Sequence, residues 1–182
     1  MSDQRPRNRL PQLLILALLS LPTLAAAQEE EPRPAPPPKG CNRLIQAGVV
    51  ALDQVFFWNR YGAVEPQGMI YALEHDVVST GPGTTLEPGR VALRPGKRPR
   101  PLVLRMNEGD CIAIHFRNLL NPTPEDEQQP HTRAASIHVV GMQLLQTIRD
   151  DGSDVGANGG GGDGVVAPGQ SITYMLYAER EG

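Results

Sequence analysis

The clearest period in the chain runs over residues 111–118 (CIAIHFRN), where Ile112, Ile114 and Phe116 alternate with Cys111, Ala113, His115 and Arg117. A period of two sends alternate side chains to opposite faces of an extended backbone, so this segment is predicted as a strand. Residues 170–178 (QSITYMLYA) alternate in the same way and predict another. Between them, Ala135, Ile137 and Val139 alternate with Ser136, His138 and Val140, predicting a further strand. Earlier in the chain, residues 44–57 carry β-branched and aromatic apolar residues interrupted by Gly48 and Asp53, which favours extended segments over a helix. The run 69–78 is ambiguous by period, and its Val and Tyr content tips it to strand. Residues 102–105 predict a short strand before a turn at Asn107-Glu108-Gly109-Asp110. The segments 79–100, 121–131 and 149–164 are polar or rich in Gly and Pro and read as connections. Many short strands separated by turns predict an all-β chain folded as an antiparallel β-sandwich.

Composition narrows this further. Nineteen Gly and 18 Pro among 182 residues break long helices, so an all-helical protein is not expected. The formal charge of −3 gives no whole-chain basicity for nucleic acid. No apolar run approaches the roughly 18 residues that a spanning helix needs, so neither nucleic acid nor a membrane span is expected. The basic residues of 90–100 lack interleaved aromatics for base stacking and read as a solvated loop.

The first residues read as an export signal. Arg5, Arg7 and Arg9 form a basic start, residues 13–19 a short apolar run, and Ala25-Ala26-Ala27 a small-residue cleavage site. Pro11 and Pro22 bracket the run, which argues against a buried helix there. Asn8 between Arg7 and Arg9 excludes a twin-arginine signal, and no Cys follows the site to accept a lipid. Residues 1–27 are therefore expected to be removed and the chain to be periplasmic or secreted. The remainder, with 14 basic and 19 acidic side chains, carries a net charge of about −5. Residues 28–39 (QEEEPRPAPPPK) hold five Pro and three Glu, a composition that buries little and favours an extended polyproline-like tether ahead of one domain over 40–182. In an oxidising compartment, Cys41 and Cys111 are expected to form one disulfide. The competing reading, two buried free thiols or a thiolate metal ligand, lacks CxxC or CxxH spacing.

Other motifs carry less. Gly159, Gly161 and Gly164 satisfy GxGxxG without a strand before or a helix after them. Asp150, Asp151, Asp154 and Asp163 are not spaced as a calcium loop. No GxSxG occurs to support a hydrolase. His138, between small neighbours and Gly141-Met142, reads either as an ordinary polar-face residue or as an imidazole turned toward a partner or metal.

The order of segments adds to this reading. Glu108-Gly109-Asp110, the alternating strand ending in Asn118, a polar loop, Ser136 to Met142 (SIHVVGM), Asp151-Gly152, then Val166 to Gln170 (VAPGQ) ahead of Tyr174 and Tyr177 resembles the first cupredoxin domain of multicopper oxidases. The similarity covers residues 102–182, and 49–78 looks like the lead-in of large bacterial exported proteins of this type. The resemblance implies a cupredoxin-like Greek-key β-sandwich, copper as the cofactor, and further cupredoxin domains of a longer chain or another protomer as partners. In the family the strand matching Ser136 to Met142 carries a His-x-His pair, since residues i and i+2 share a strand face and reach one copper cluster together. Here the matching positions are His138 and Val140, so His138 is the one candidate metal ligand, and no Cys-x-His-Met cluster marks a blue-copper site.

The family pattern continues into a further strand after the position of Gly182. The chain is therefore expected to be a fragment or truncated domain that lacks its closing strand, contributes structure and at most a partial copper site, and does not catalyse oxidation alone. The segment 170–178 should then leave an unpaired edge that invites self-association, unless 44–57 covers it. A non-metal β-sandwich that binds proteins through that edge is the alternative.

Overall fold

The computed structural model describes residues 40–124, 132–155 and 164–181. The signal reading of 1–27 and the tether reading of 28–39 lie outside the described residues, as do Gly159, Gly161 and Asp163. Among the described residues nine strands and two 3₁₀ turns follow one another: β1 (Leu44–Asp53), β2 (Phe56–Phe57), β3 (Val64–Glu65), β4 (Met69–Leu73), a turn at Glu74–Asp76, β5 (Val77–Ser79), β6 (Val91–Leu93), β7 (Cys111–Asn118), β8 (Gln143–Leu144), a turn at Ile148–Asp150, and β9 (Ser171–Tyr177). Regular structure is nearly all strand, as an all-β cupredoxin-like sandwich requires.

One five-stranded sheet in the order β4-β1-β7-β9-β8 organises the chain. Its pairs are antiparallel except β1 with β7, which run parallel from Leu44 against Cys111 to Ala51 against Asn118. Parallel neighbours need a crossover, and the whole of β2 to β6 lies between them in sequence. The small β2–β3 and β5–β6 hairpins form separate two-stranded sheets.

Alternation along β1 and β7 decides the core. Ala47, Val49 and Ala51 face the same side as Ile112, Ile114, Phe116, Tyr174 and Leu176. Val50 and Leu52 face the other side, with Ala72, Val77 and Leu119, and Val91 and Leu93 of β6 pack against them. Both faces are covered, which is why Val49 to Leu52 are all buried rather than alternating in exposure.

Three expectations change. Residues 79–100 are not simply a connection, because Val91–Leu93 pairs with Val77–Ser79; a run of three apolar residues is too short to show a period. Residues 102–105 form no strand, although Leu102, Leu104 and Met106 are half-buried on the first core and Val103 and Arg105 are exposed. Residues 135–140 form no strand either, their only ladder contact among the described residues being the isolated Ala135–Val166 bridge. Both stretches have the strand's alternation, but no neighbouring backbone offers them a ladder, so they cover the sheet as extended coil.

The disulfide expectation is met: Cys41 and Cys111 are bonded, with Cα atoms 5.5 Å apart. Beside it, Asp110 closes the 107–110 turn. One oxygen of its carboxylate accepts the Asn107 N–H at 3.0 Å and the Arg43 guanidinium at 2.6 Å. Gly109 makes the turn possible with φ +82°, a region costly for other residues. The Asn107 N–H and then Arg43 hold the Asp110 carboxyl below its usual pKa. A depressed native pKa means that this contribution to stability is full above the unfolded carboxylate range, near pH 4, and is lost as pH falls through the lower native value. Asp110→Asn is therefore expected to lower Tm at neutral pH and to shrink the acid-side fall of Tm. Parallel parent and variant profiles of Tm against pH would show that Asp110 does not supply the dependence.

The β9 edge is covered differently from either expectation. β1 lies between β4 and β7, so residues 44–57 do not cover it. Instead Gln143 and Leu144 pair with Tyr177 and Leu176, and the Leu145 N–H donates to the Met175 carbonyl. The Asp150 carboxylate accepts the Met175 N–H at 3.2 Å in place of a further strand residue. By the alternation of an antiparallel ladder, Ser171 and Thr173 turn their backbone groups to this same side, where no strand pairs with them among the described residues.

Candidate functional site

The extended stretch 136–139 is held by two tyrosine hydroxyls and one backbone N–H where a strand would use a neighbour's ladder. Tyr71 donates its hydroxyl to the Ser136 carbonyl at 2.7 Å, and the Ile137 N–H donates to the Tyr174 hydroxyl at 3.3 Å. The Gly152 N–H donates to the Ile137 carbonyl at 3.0 Å. Tyr174 in turn donates to the Gly164 carbonyl at 2.8 Å. Burial pushes the Tyr174 hydroxyl up to about 12, so it stays a neutral donor at physiological pH. Burial raises Tyr71 likewise.

Between this stretch and residues 102–106 lies a cavity of about 440 Å3 over the first core face, its wall including Leu104, Met106, Ile114, Ile137 and Met142, with His138 beside them. His138 is the sequence-predicted ligand, and its side chain is 49% exposed. Its Nδ1 lies 2.6 Å from Asp151 Oδ1. A carboxylate only accepts, so Nδ1 carries a proton in this contact, and in the neutral imidazole Nε2 keeps the lone pair. Burial pushes the Asp151 carboxyl up, but the Ser153 N–H, His138 and the Ser153 hydroxyl together outweigh it and hold the pKa below the usual value. The pair fixes one imidazole with an available lone pair at the edge of an apolar space.

The rest of the expected ligand geometry is missing. The i, i+2 relation between His138 and Val140 presumes a strand, and the chain instead turns at Val140 and Gly141, where Gly141 has φ +87°. Val140 is left 85% exposed. His115 lies on β7 opposite in phase to Ile114, away from the cavity, and its Nδ1 is 3.0 Å from the Thr173 hydroxyl. His75 sits on the 3₁₀ turn beside Asp76. Both cysteines are in the disulfide and unavailable as thiolates. Among the described residues no three His, Cys, Asp or Glu side chains gather where they could hold a metal ion. The donors present therefore do not fit a copper centre, since His138 and Asp151 supply one nitrogen and one carboxylate already joined to each other.

Two of the aspartates in the acidic segment, Asp150 and Asp151, hold other groups. Asp150 accepts the N–H groups of Gln146, Thr147 and Met175. Asp151, missed as the partner of His138, is thirteen residues away. Nothing in their spacing marks the contact, because it exists only once the 148–152 turn folds back over Ile137.

No family model matches the chain, and no curated protein does. Among solved structures the chain is similar to one described as "Crystal structure of multicopper oxidase", with 25% sequence identity and a TM-score of 0.39. The match covers 76% of this chain and 33% of that one, so the chain spans about a third of that protein's length.

Proposed function

We propose that this chain is a cupredoxin-like domain of an exported multicopper oxidase-like assembly, in which it contributes structure and at most one copper ligand, His138, and does not oxidise substrate alone. The observation that carries this is the Asp151-oriented imidazole: in its neutral form Nε2 has a lone pair to offer, and among the described residues it belongs to no group of three side chains that could hold a metal ion. An oriented imidazole is how proteins prepare a metal-binding histidine, while one such group falls short of a site. Further cupredoxin domains, on a longer chain or another protomer, are its partners in this reading. The Cys41–Cys111 bond supports an oxidising compartment.

The alternative is a non-metal β-sandwich that binds protein partners, and Val140 standing in place of a second histidine favours it. Copper titration of the mature chain separates the readings. The proposal expects weak, substoichiometric binding without a blue-copper band, removed in His138→Ala. Binding that is undetectable in both proteins supports the alternative. Stoichiometric copper with a blue band would mean that the chain is itself a redox protein, and the proposal would fail.

A further inference from the structure

The chain has eight aromatic side chains, one Trp, four Tyr and three Phe. Four of them, Phe56, Phe57, Trp58 and Tyr61, fall within six residues on the β2–β3 hairpin. Phe57 is 77%, Trp58 69% and Tyr61 82% exposed. Isolated exposed apolar residues are ordinary, whereas a cluster holding half of the aromatics of an aromatic-poor chain marks an interaction surface.

The cluster is also ordered. The Phe56 and Trp58 rings stack with centroids 5.6 Å apart, and the Arg60 guanidinium lies over the Tyr61 ring at 5.1 Å. The Trp58 N–H donates to the Ala63 carbonyl, and the Asn59 side-chain oxygen accepts the N–H groups of Tyr61 and Ala63. A short turn locked in this way presents a ridged aromatic surface with little further ordering cost on binding.

The same sequence contains a ligand suited to such a surface. Residues 32–38 (PRPAPPP) include a PxxP spacing at Pro34 and Pro37, preceded by Glu29, Glu30 and Glu31. Pro-rich segments favour a polyproline II helix, whose ridges dock into aromatic-lined surfaces at small entropic cost. The three glutamates complement the exposed Arg60.

Reach decides which copy supplies the segment. Cys41 is tied to Cys111, whose neighbour in the sheet is Leu44, the first residue of β1. The hairpin follows the other end of β1, about 30 Å away for ten strand residues. From Cys41, Pro37 extends at most about 14 Å and Pro34 about 25 Å. The extended length of chain from Cys41 to either proline is thus shorter than β1 itself, which points to a second copy as the source of the segment.

We propose that the Pro-rich segment 28–39 of one copy docks on the Phe57–Trp58–Tyr61 hairpin of a second copy. Reciprocal exchange joins two chains through two identical contacts, closing a symmetric dimer. This contact is separate from the β9 edge and independent of copper.

Trp58 is the chain's single tryptophan and reports directly on the site. On dilution, the full mature chain should change from dimer to monomer in sedimentation while Trp58 emission shifts to the red. Excess synthetic peptide 28–39 should disperse the dimer yet keep the emission blue, because the peptide takes the place of the partner's segment. Phe57→Ser, at an exposed position, should weaken the dimer at least tenfold and leave thermal unfolding of the monomer unchanged. A peptide carrying Pro34→Ala, Pro36→Ala and Pro37→Ala should not compete. The proposal is overturned if Trp58 emission ignores both dilution and peptide, if the alanine peptide competes equally, or if Phe57→Ser leaves association unchanged. Emission that responds to phosphatidylglycerol vesicles or soluble oligosaccharides and not to the peptide would equally overturn it, assigning the hairpin to those ligands.

Discussion

Asn118→Ala is expected to remove about 3–4 kcal/mol of stability, a large share of the 5–15 kcal/mol that holds a typical domain folded. Asn118 ends β7 with a fully buried side chain. Its amide nitrogen donates to the carbonyls of Arg133 at 2.7 Å and Val166 at 2.8 Å, and its oxygen accepts the Leu120 N–H at 3.0 Å. These three bonds join the central strand to the start of the 133–139 stretch and to the residue that bridges Ala135. Truncation deletes them together and leaves buried backbone groups without this partner, each costing about 1–3 kcal/mol, while the Val166 carbonyl keeps the Ala135 N–H. Urea denaturation of parent and variant measures the difference. A loss under about 1 kcal/mol would show that water or a local shift re-pairs these groups and that Asn118 is not the tie between the layers.

Loss of the disulfide is expected to cost about as much, by a different route. Cys41 and Cys111 are separated by 70 positions, and a loop of that size restricts the unfolded chain by about 4 kcal/mol in the chain-entropy account. The bond also fixes the residues just before β1 against the start of β7, where the parallel pairing begins. The double variant Cys41→Ser, Cys111→Ser should unfold at a clearly lower urea concentration, and the reduced parent should match it. Thiol titration of the unfolded, unreduced parent should find no reactive thiol. An unchanged midpoint on reduction would show that the bond contributes nothing that packing does not already supply.

Asn118 and the disulfide also show how far the sequence could be read. The even cysteine count and the export-like start pointed to the bond without geometry. The strand ending at Asn118 was legible from alternation, but its side chain's role was not, because all three of its partners lie in connections with no periodic pattern. His138 was legible as a candidate from its small neighbours and from the resemblance. Its partner Asp151 was not, since hydrogen bonds between loops leave no spacing rule behind.

The aromatic hairpin divides in the same way. Residues 44–57 were readable as extended, yet the break at Gln54 and Val55 between β1 and β2 depends on Gln54 donating its N–H to the Gly68 carbonyl. Exposure of Phe57 and Trp58 follows from that hairpin standing apart from the main sheet. Hydrophobic residues in a strand-like run predict burial, and these are left on the surface.

The sequence by itself determined which segments are extended, which face of each carries apolar residues, where turns interrupt them, and that the chain is all-β. Those properties follow from local sterics and from the two-residue period, which act between near neighbours. Only the tertiary structure decided which extended segments are strands, that β1 runs parallel to β7, and that His138 is paired with Asp151 and, among the described residues, without a second imidazole. Strand identity requires a partner backbone at ladder distance, and a metal site requires donors converging from distant segments. The stretches 102–106 and 135–140 have the alternation of strands and lack that partner, so the same local pattern that built β7 and β9 yields coil over a cavity there.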